Sequence, residues 1–257
     1  MRVLLIHFAG VLALILVSLL ARPLEGPAWE AITSEDAAMK LESVEASLGQ
    51  GFVVGVLGGF RTIIADLLWL RLNTFWEERD TAKVAALVGM VTTLDPKPDF
   101  FWIQSARILA YDMPNWRIRD EGGYEAVPET RWDAIDSEQA ERAFILLERA
   151  RHYHPENPKI PLEIGQIYLN RLDSPVEAAP WFLAASKLPD APFYAARIYG
   201  ELLRQTGRLQ DAYLFLRKLY EDLPDDNPFA QKPVVLERIR ELESELGLPS
   251  DRRFRIE

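Results

Sequence analysis

Three prolines recur at a near-constant interval. Pro155, Pro189 and Pro224 stand 34 and 35 residues apart, and each follows a stretch that reads helix, turn, helix. Pro96 precedes Pro155 by 59 residues, one such interval plus about 25 inserted residues. A period near 34 residues marks stacked helical hairpins. A hairpin of two short helices cannot bury its apolar faces alone, so it must stack on neighbours. The sequence therefore predicts an all-α array that offers a binding surface rather than an enzyme.

Composition narrows the partners. The chain has 257 residues and a formal net charge of −10. Nucleic acid is bound by clustered Lys and Arg, so it is not an expected partner. Cysteine is absent, which removes disulfide and thiolate chemistry.

Residues 3–20 read VLLIHFAGVLALILVSLL, with only His7 and Ser18 polar. As a helix this run would span roughly 27 Å, close to the thickness of a bilayer core. Arg2 and Arg22 bracket it, and the chain then turns acidic at Glu25, Glu30, Glu35 and Asp36. The expectation is a single-pass anchor over residues 1–22, with the remainder on the extracytoplasmic (periplasmic) side. A cleaved signal peptide has a similar layout but wants small residues before the cut, and Leu19 is a poor fit there.

Residues 23–64 read as a stalk with Pro23, Gly26 and Pro27, a helix from Ser34 to Leu48, and a Gly-rich segment. In that segment Gly51, Gly55 and Gly59 are four apart. On a helix they would share one face and admit a close neighbour at the membrane. Arg61 and Asp66 argue against a second full span.

From Ala65 to Pro224 the chain resembles the tetratricopeptide repeat (TPR) family. Gly200, Gly207, Ala212, Leu216 and Pro224 stand where that family places its small, turn, bulky and terminal residues. Gly165, Tyr168, Ala178, Phe182, Ala185 and Pro189 match in the preceding unit. An earlier unit is split, with one helix over about Phe100–Tyr111 and the next over about Ser137–Tyr153. Between them lies an insert, residues 112–136, expected as a loop packed by Trp116, Tyr124 and Trp132. The first unit, about Ala65–Pro96, keeps Phe75, Val84, Val88 and Val91 but has Leu72 at the small position. A capping box is expected at Ser174/Glu177, and a second at Asp136/Gln139. Pro180 predicts a kink or a late helix start. Residues 225–257 read as an amphipathic capping helix, Pro233–Leu246, with a tail.

The likeness implies a right-handed superhelix of about four degenerate TPR-like hairpins behind an N-terminal transmembrane helix. It also implies a concave face lined by the first helix of each hairpin. That groove would hold Trp69, Asn73, Trp76, Phe100, Ile103, Arg107, Gln166, Tyr194, Arg197, Glu201 and Arg204. Arg107, Arg197 and Arg204 would be basic points for a carboxylate or acidic peptide. Of the family's Lys/Asn clamp for a peptide C-terminus, only Asn73 has a counterpart. The block Gly58-Gly59-Phe60-Arg61 with Ala65-Asp66-Leu67-Leu68-Trp69 is similar to the opening of anchored bacterial repeat proteins of unassigned function.

No catalytic, metal or cofactor motif emerges. His152 and His154 would diverge on a helix and suit its solvated C-terminal end. The pairs Glu77/Glu78, Asp225/Asp226 and Glu243/Glu245 read as solvated carboxylates. The expected function is a membrane-anchored scaffold that binds a protein partner within an envelope complex. Two alternatives are a small-molecule binder or enzyme with a pocket under the 112–136 insert, and an accessory subunit packed through Gly51, Gly55 and Gly59.

Overall fold

The computed structural model describes residues 60–255, and among these all regular structure is helical. The anchor expected over residues 1–22, the helix over 34–48 and the Gly51/Gly55/Gly59 face lie outside the described residues. No described helix is long and apolar enough to cross a membrane. The chain divides into two compact units at Asp95/Pro96.

In the first unit, α1 (Arg61–Glu78) and α2 (Thr81–Leu94) pack on each other. Their link is two residues long, and both serve as caps. Arg79 adopts a left-handed conformation with φ 59°, and its N–H donates back into the last turn of α1. Asp80 then caps α2, its carboxylate accepting from the Lys83 N–H at 3.0 Å. Ala65, Leu72 and Phe75 are buried on α1, as are Val84, Leu87, Val88 and Val91 on α2. The Lys83 ammonium lies 4.8 Å over the Phe75 ring, which ties the link to the core.

The second unit begins with α3 (Asp99–Arg107). It passes through a π-helical turn (Ile108–Asp112) into α4 (Met113–Asp120) without leaving helical geometry. Pro114 explains the wide turn. It has no N–H for the Ala110 carbonyl, and its ring would crowd that carbonyl in a regular α-helix. After a turn through Gly122 and Gly123, both at positive φ, α5 runs from Glu129 to Tyr153. The segment expected as a loop over 112–136 is therefore mostly helical, extending the two helices that flank it. Trp116 is buried in it, and the Tyr124 and Trp132 rings meet edge-on at 4.9 Å.

Then follow α6 (Lys159–Asn170), α7 (Pro175–Ser186), α8 (Tyr194–Gln205), α9 (Leu209–Asp222), a 3-10 turn (Pro228–Ala230) and α10 (Lys232–Glu245). From α5 onward each helix packs on the next in sequence. Two glycines permit this at close range. A Cβ on Gly165 would lie 3.0 Å from the Phe182 ring, and one on Gly200 only 2.5 Å from Leu216. Ala178, Phe182, Ala185, Ala212 and Leu216 are all buried opposite them.

Local details correct several expectations. Ser174 precedes α7, but its hydroxyl donates to the Leu172 carbonyl at 3.0 Å, so no capping box forms. Asp136 lies inside α5, where its backbone is already in the helical ladder. Its carboxylate instead meets Arg171. The helix containing Pro180 starts on time at Pro175 and runs through it, with Pro180 on the exposed side. The capping helix is where it was expected, with Val235, Ile239 and Leu242 buried.

The tail then folds back on α10. Glu243 is buried and accepts from the Phe254 N–H at 2.6 Å, while Arg240 donates both to Glu243 and to the Phe254 carbonyl. The expectation that Glu243 is solvated is thus wrong, because this carboxylate anchors the tail.

Adding bulk at the tightest crossing tests the packing. Gly200→Val should cost about 1–3 kcal/mol, because the new methyls collide with Leu216. Leu216→Ala in the same chain should recover part of that loss. Thermal unfolding followed by circular dichroism reads both.

Candidate functional site

Two helix faces in the same register build the site. On α3, Phe100, Ile103, Gln104 and Arg107 follow the i, i+3, i+4, i+7 spacing of one face. On α6, Lys159, Leu162, Glu163 and Gln166 repeat that spacing 59 residues later. With Asp99 and Tyr194, the first residue of α8, they line a cavity of about 240 Å³. That is below the roughly 300–1,000 Å³ usual for small-molecule sites. It suits a side chain or a short stretch of main chain.

An ion pair forms the floor. The Arg107 guanidinium grips Glu163 with Nε 3.0 Å from both carboxylate oxygens and Nη2 2.7 Å from Oε2. The Glu163 side chain is only 3% exposed, that of Arg107 46%. Hydrogen bonding to Glu163 holds the Arg107 pKa above its ordinary value, against burial. Next to it in the π-helical turn, burial pushes the Tyr111 phenol up, and the Glu163 charge adds to that.

The mouth is held by a second pair. Lys159 Nζ and Asn157 Nδ2 each donate to Asp99 Oδ2 at 2.9 Å. The Lys159 hydrogen bond holds the Asp99 carboxyl below the usual carboxylate range, with Asn157 assisting and burial opposing. The α5–α6 connector is tied down as well. The Pro96 carbonyl takes Trp102 Nε1 at 3.0 Å and lies 2.9 Å from His154 Nε2. His154 is therefore part-buried and structural, not a solvated helix-end histidine. His152 stays exposed.

The walls hold the open chemistry. Among the described residues, the side chains of Gln104, Gln166 and Tyr194 find no hydrogen-bond partner. An amide side chain both donates and accepts, as a peptide unit does. Phe100, Ile103 and Leu162 add apolar surface between them. A broader cavity of about 700 Å³ shares Lys159, Leu162 and Tyr194 with the first. It continues over the turns that hold Pro155, Pro158, Pro189 and Pro192.

The structure thus brings Phe100, Ile103, Arg107, Gln166 and Tyr194 together. It does not leave the arginines as open basic points. Arg107 is neutralised by Glu163. Arg197 donates to the carbonyls of Phe229 and Ala230 at 3.2 and 2.8 Å. Arg204 binds Glu201 and Glu245, and Glu201 also binds Arg238, so these groups join α8 to α10. Trp69, Asn73 and Trp76 belong to α1 in the other unit, with Trp69 half-buried and the other two exposed. Neither cavity is lined by a residue of 112–136. The sequence reading missed Asp99, Gln104, Lys159, Leu162 and Glu163. Superposing the 159–166 face on the 100–107 face would have found the last four.

No His/Asp/Glu cluster among the described residues is placed to hold a metal. The chain matches no protein-family model, no curated protein and no solved structure.

Removing the arginine of the floor pair leaves a buried carboxylate unpaired. Arg107→Ala should cost about 2–4 kcal/mol, and Arg107→Lys less, by denaturant unfolding. The mouth pair predicts a pH dependence. With its folded pKa lowered, Asp99 stabilises the fold above its unfolded value of about 3.9. That contribution is lost as pH falls through the folded value. Asp99→Asn should therefore lower stability at neutral pH and flatten the loss between about pH 4 and the lowered folded value.

Proposed function

We propose that the protein is a membrane-anchored scaffold whose TPR-like hairpins form a right-handed superhelix and hold an extended segment of a partner protein. The observation that carries this reading is the trio Gln104, Gln166 and Tyr194, set on three helices around one cleft with their hydrogen-bonding groups open. Two amides and a phenol can satisfy the N–H and C=O groups of a passing main chain. The intervening Phe100, Ile103 and Leu162 take an apolar side chain. The ionisable groups of the cleft are already engaged in the Arg107–Glu163 and Lys159–Asp99 pairs. This favours holding a neutral peptide segment over proton-transfer chemistry or capture of a free carboxylate.

The anchor is the apolar run at 3–20, which places the scaffold at a membrane or cell-envelope complex. The same-register faces on α3 and α6, and the glycines at the helix crossings, support the repeat reading.

The test is photo-crosslinking of the full-length protein in its own membranes, with benzoylphenylalanine at Phe100 or at Tyr194. One partner band shared by both positions is expected. Combining Gln104→Ala and Gln166→Ala should weaken capture about 30-fold, two neutral hydrogen bonds at about 1 kcal/mol each. The melting temperature should not change. No adduct from either position in folded protein would sink the reading.

A further inference from the structure

We propose that the first half of α1 lies against the surface of a lipid bilayer, an inference that rests on the membrane-anchored reading of residues 3–20. Phe60, Ile63, Leu67 and Leu70 are 57, 54, 60 and 63% exposed. Their spacing of three, four and three residues puts them on one side of the helix. The side that faces α2 is a different one, carrying the buried Ala65, Leu72 and Phe75.

Four bulky apolar side chains in a contiguous stripe are unusual in water. The stripe is confined to one end of α1. Its line continues into Thr74 and Glu77, so it stops after Leu70. It begins where residues 1–59 join, and residues 51–60, GFVVGVLGGF, carry no charge.

Of the charges nearby, Arg71 borders the end of the stripe, four residues after Leu67, and its guanidinium lies 5.7 Å over the Phe75 ring. Arg61 turns its guanidinium to the end of α2, donating to the Leu94 and Thr93 carbonyls at 3.0 and 3.4 Å. Thr62, Asp66 and Asn73 lie on the polar flank. The helix does not qualify as a span. An exposed apolar stripe on a helix too polar to cross can bury roughly 5–10 Å into the boundary between headgroups and acyl chains. The bilayer is the occupant because the same chain carries the apolar run at 3–20, and the uncharged residues 51–60 lead into the stripe.

The chain contains no cysteine, so one introduced cysteine labels one position. Full-length Leu67→Cys carries a nitroxide and is reconstituted in vesicles of phosphatidylcholine with phosphatidylglycerol. Asn73→Cys, on the polar flank, is the reference. Flotation with the vesicles comes first, because protein that stays in the aqueous fraction refutes the anchored reading and this inference with it. In floated protein, the nitroxide at 67 should be relaxed by oxygen several-fold more than by a water-soluble nickel chelate, and the one at 73 the reverse. Relaxation at 67 by the nickel chelate would place the stripe in water and overturn the inference while the anchor stands. Low access to both reagents at 67 would mean that protein covers the stripe, which also overturns it.

Discussion

A carboxylate out of reach of water must have its counter-charge delivered to it, and Glu163 imposes that condition on the second unit. An ionised group at that depth costs several kcal/mol unless it is paired and hydrogen-bonded. Among the described residues, the guanidinium that meets it comes from Arg107, 56 residues earlier in the chain. α3 and α6 must therefore lie side by side with their faces in register. Around that pair the cleft assembles itself. Phe100, Ile103 and Gln104 line it from α3, Lys159, Leu162 and Gln166 from α6, and α8 adds Tyr194.

The charges that line the cleft are engaged with one another. The arginines that looked suited to an acidic ligand bind Glu163, Glu245, Glu201 and two backbone carbonyls. At the cleft, what these pairs leave open is neutral hydrogen bonding and apolar surface. If the cleft holds a peptide as proposed, its binding would vary little with salt.

Much of this arrangement could be read from the residues alone. The helices over 159–186 and 194–222 follow from the glycines and alanines at their crossings and from the prolines between them. The α1–α2 pair follows from Phe75, Val84, Val88 and Val91, all of which are buried. The extent of helix between 112 and 136 was not legible, since Pro114, Gly122, Gly123 and Pro128 are turn formers by local rule. Gly122 and Gly123 do turn the chain, but Pro114 is absorbed in a wide helical turn and Pro128 starts α5. The ion pairs were not legible either. Arg107 and Glu163 are far apart in sequence, and no local pattern says that they meet. Half the cleft was found, because the likeness to the TPR family implies a groove face that includes Phe100, Ile103, Arg107, Gln166 and Tyr194.

The wide turn at Ile108–Asp112 has a consequence for how this molecule tolerates added length. An extra residue in a helical turn rotates everything beyond it by about 100°. It acts as a phase shifter between two stretches of one rod. Up to Arg107 the rod keeps the phase that the cleft requires. Beyond it, Met113, Trp116 and Ile118 are buried, and α4 packs on α5. A residue added beyond the turn would re-aim α4 against α5 while leaving Phe100 and Gln104 in place. The cleft face of α3 and the buried face of α4 thus lie on one continuous helical run, and the wide turn sets the angle between them.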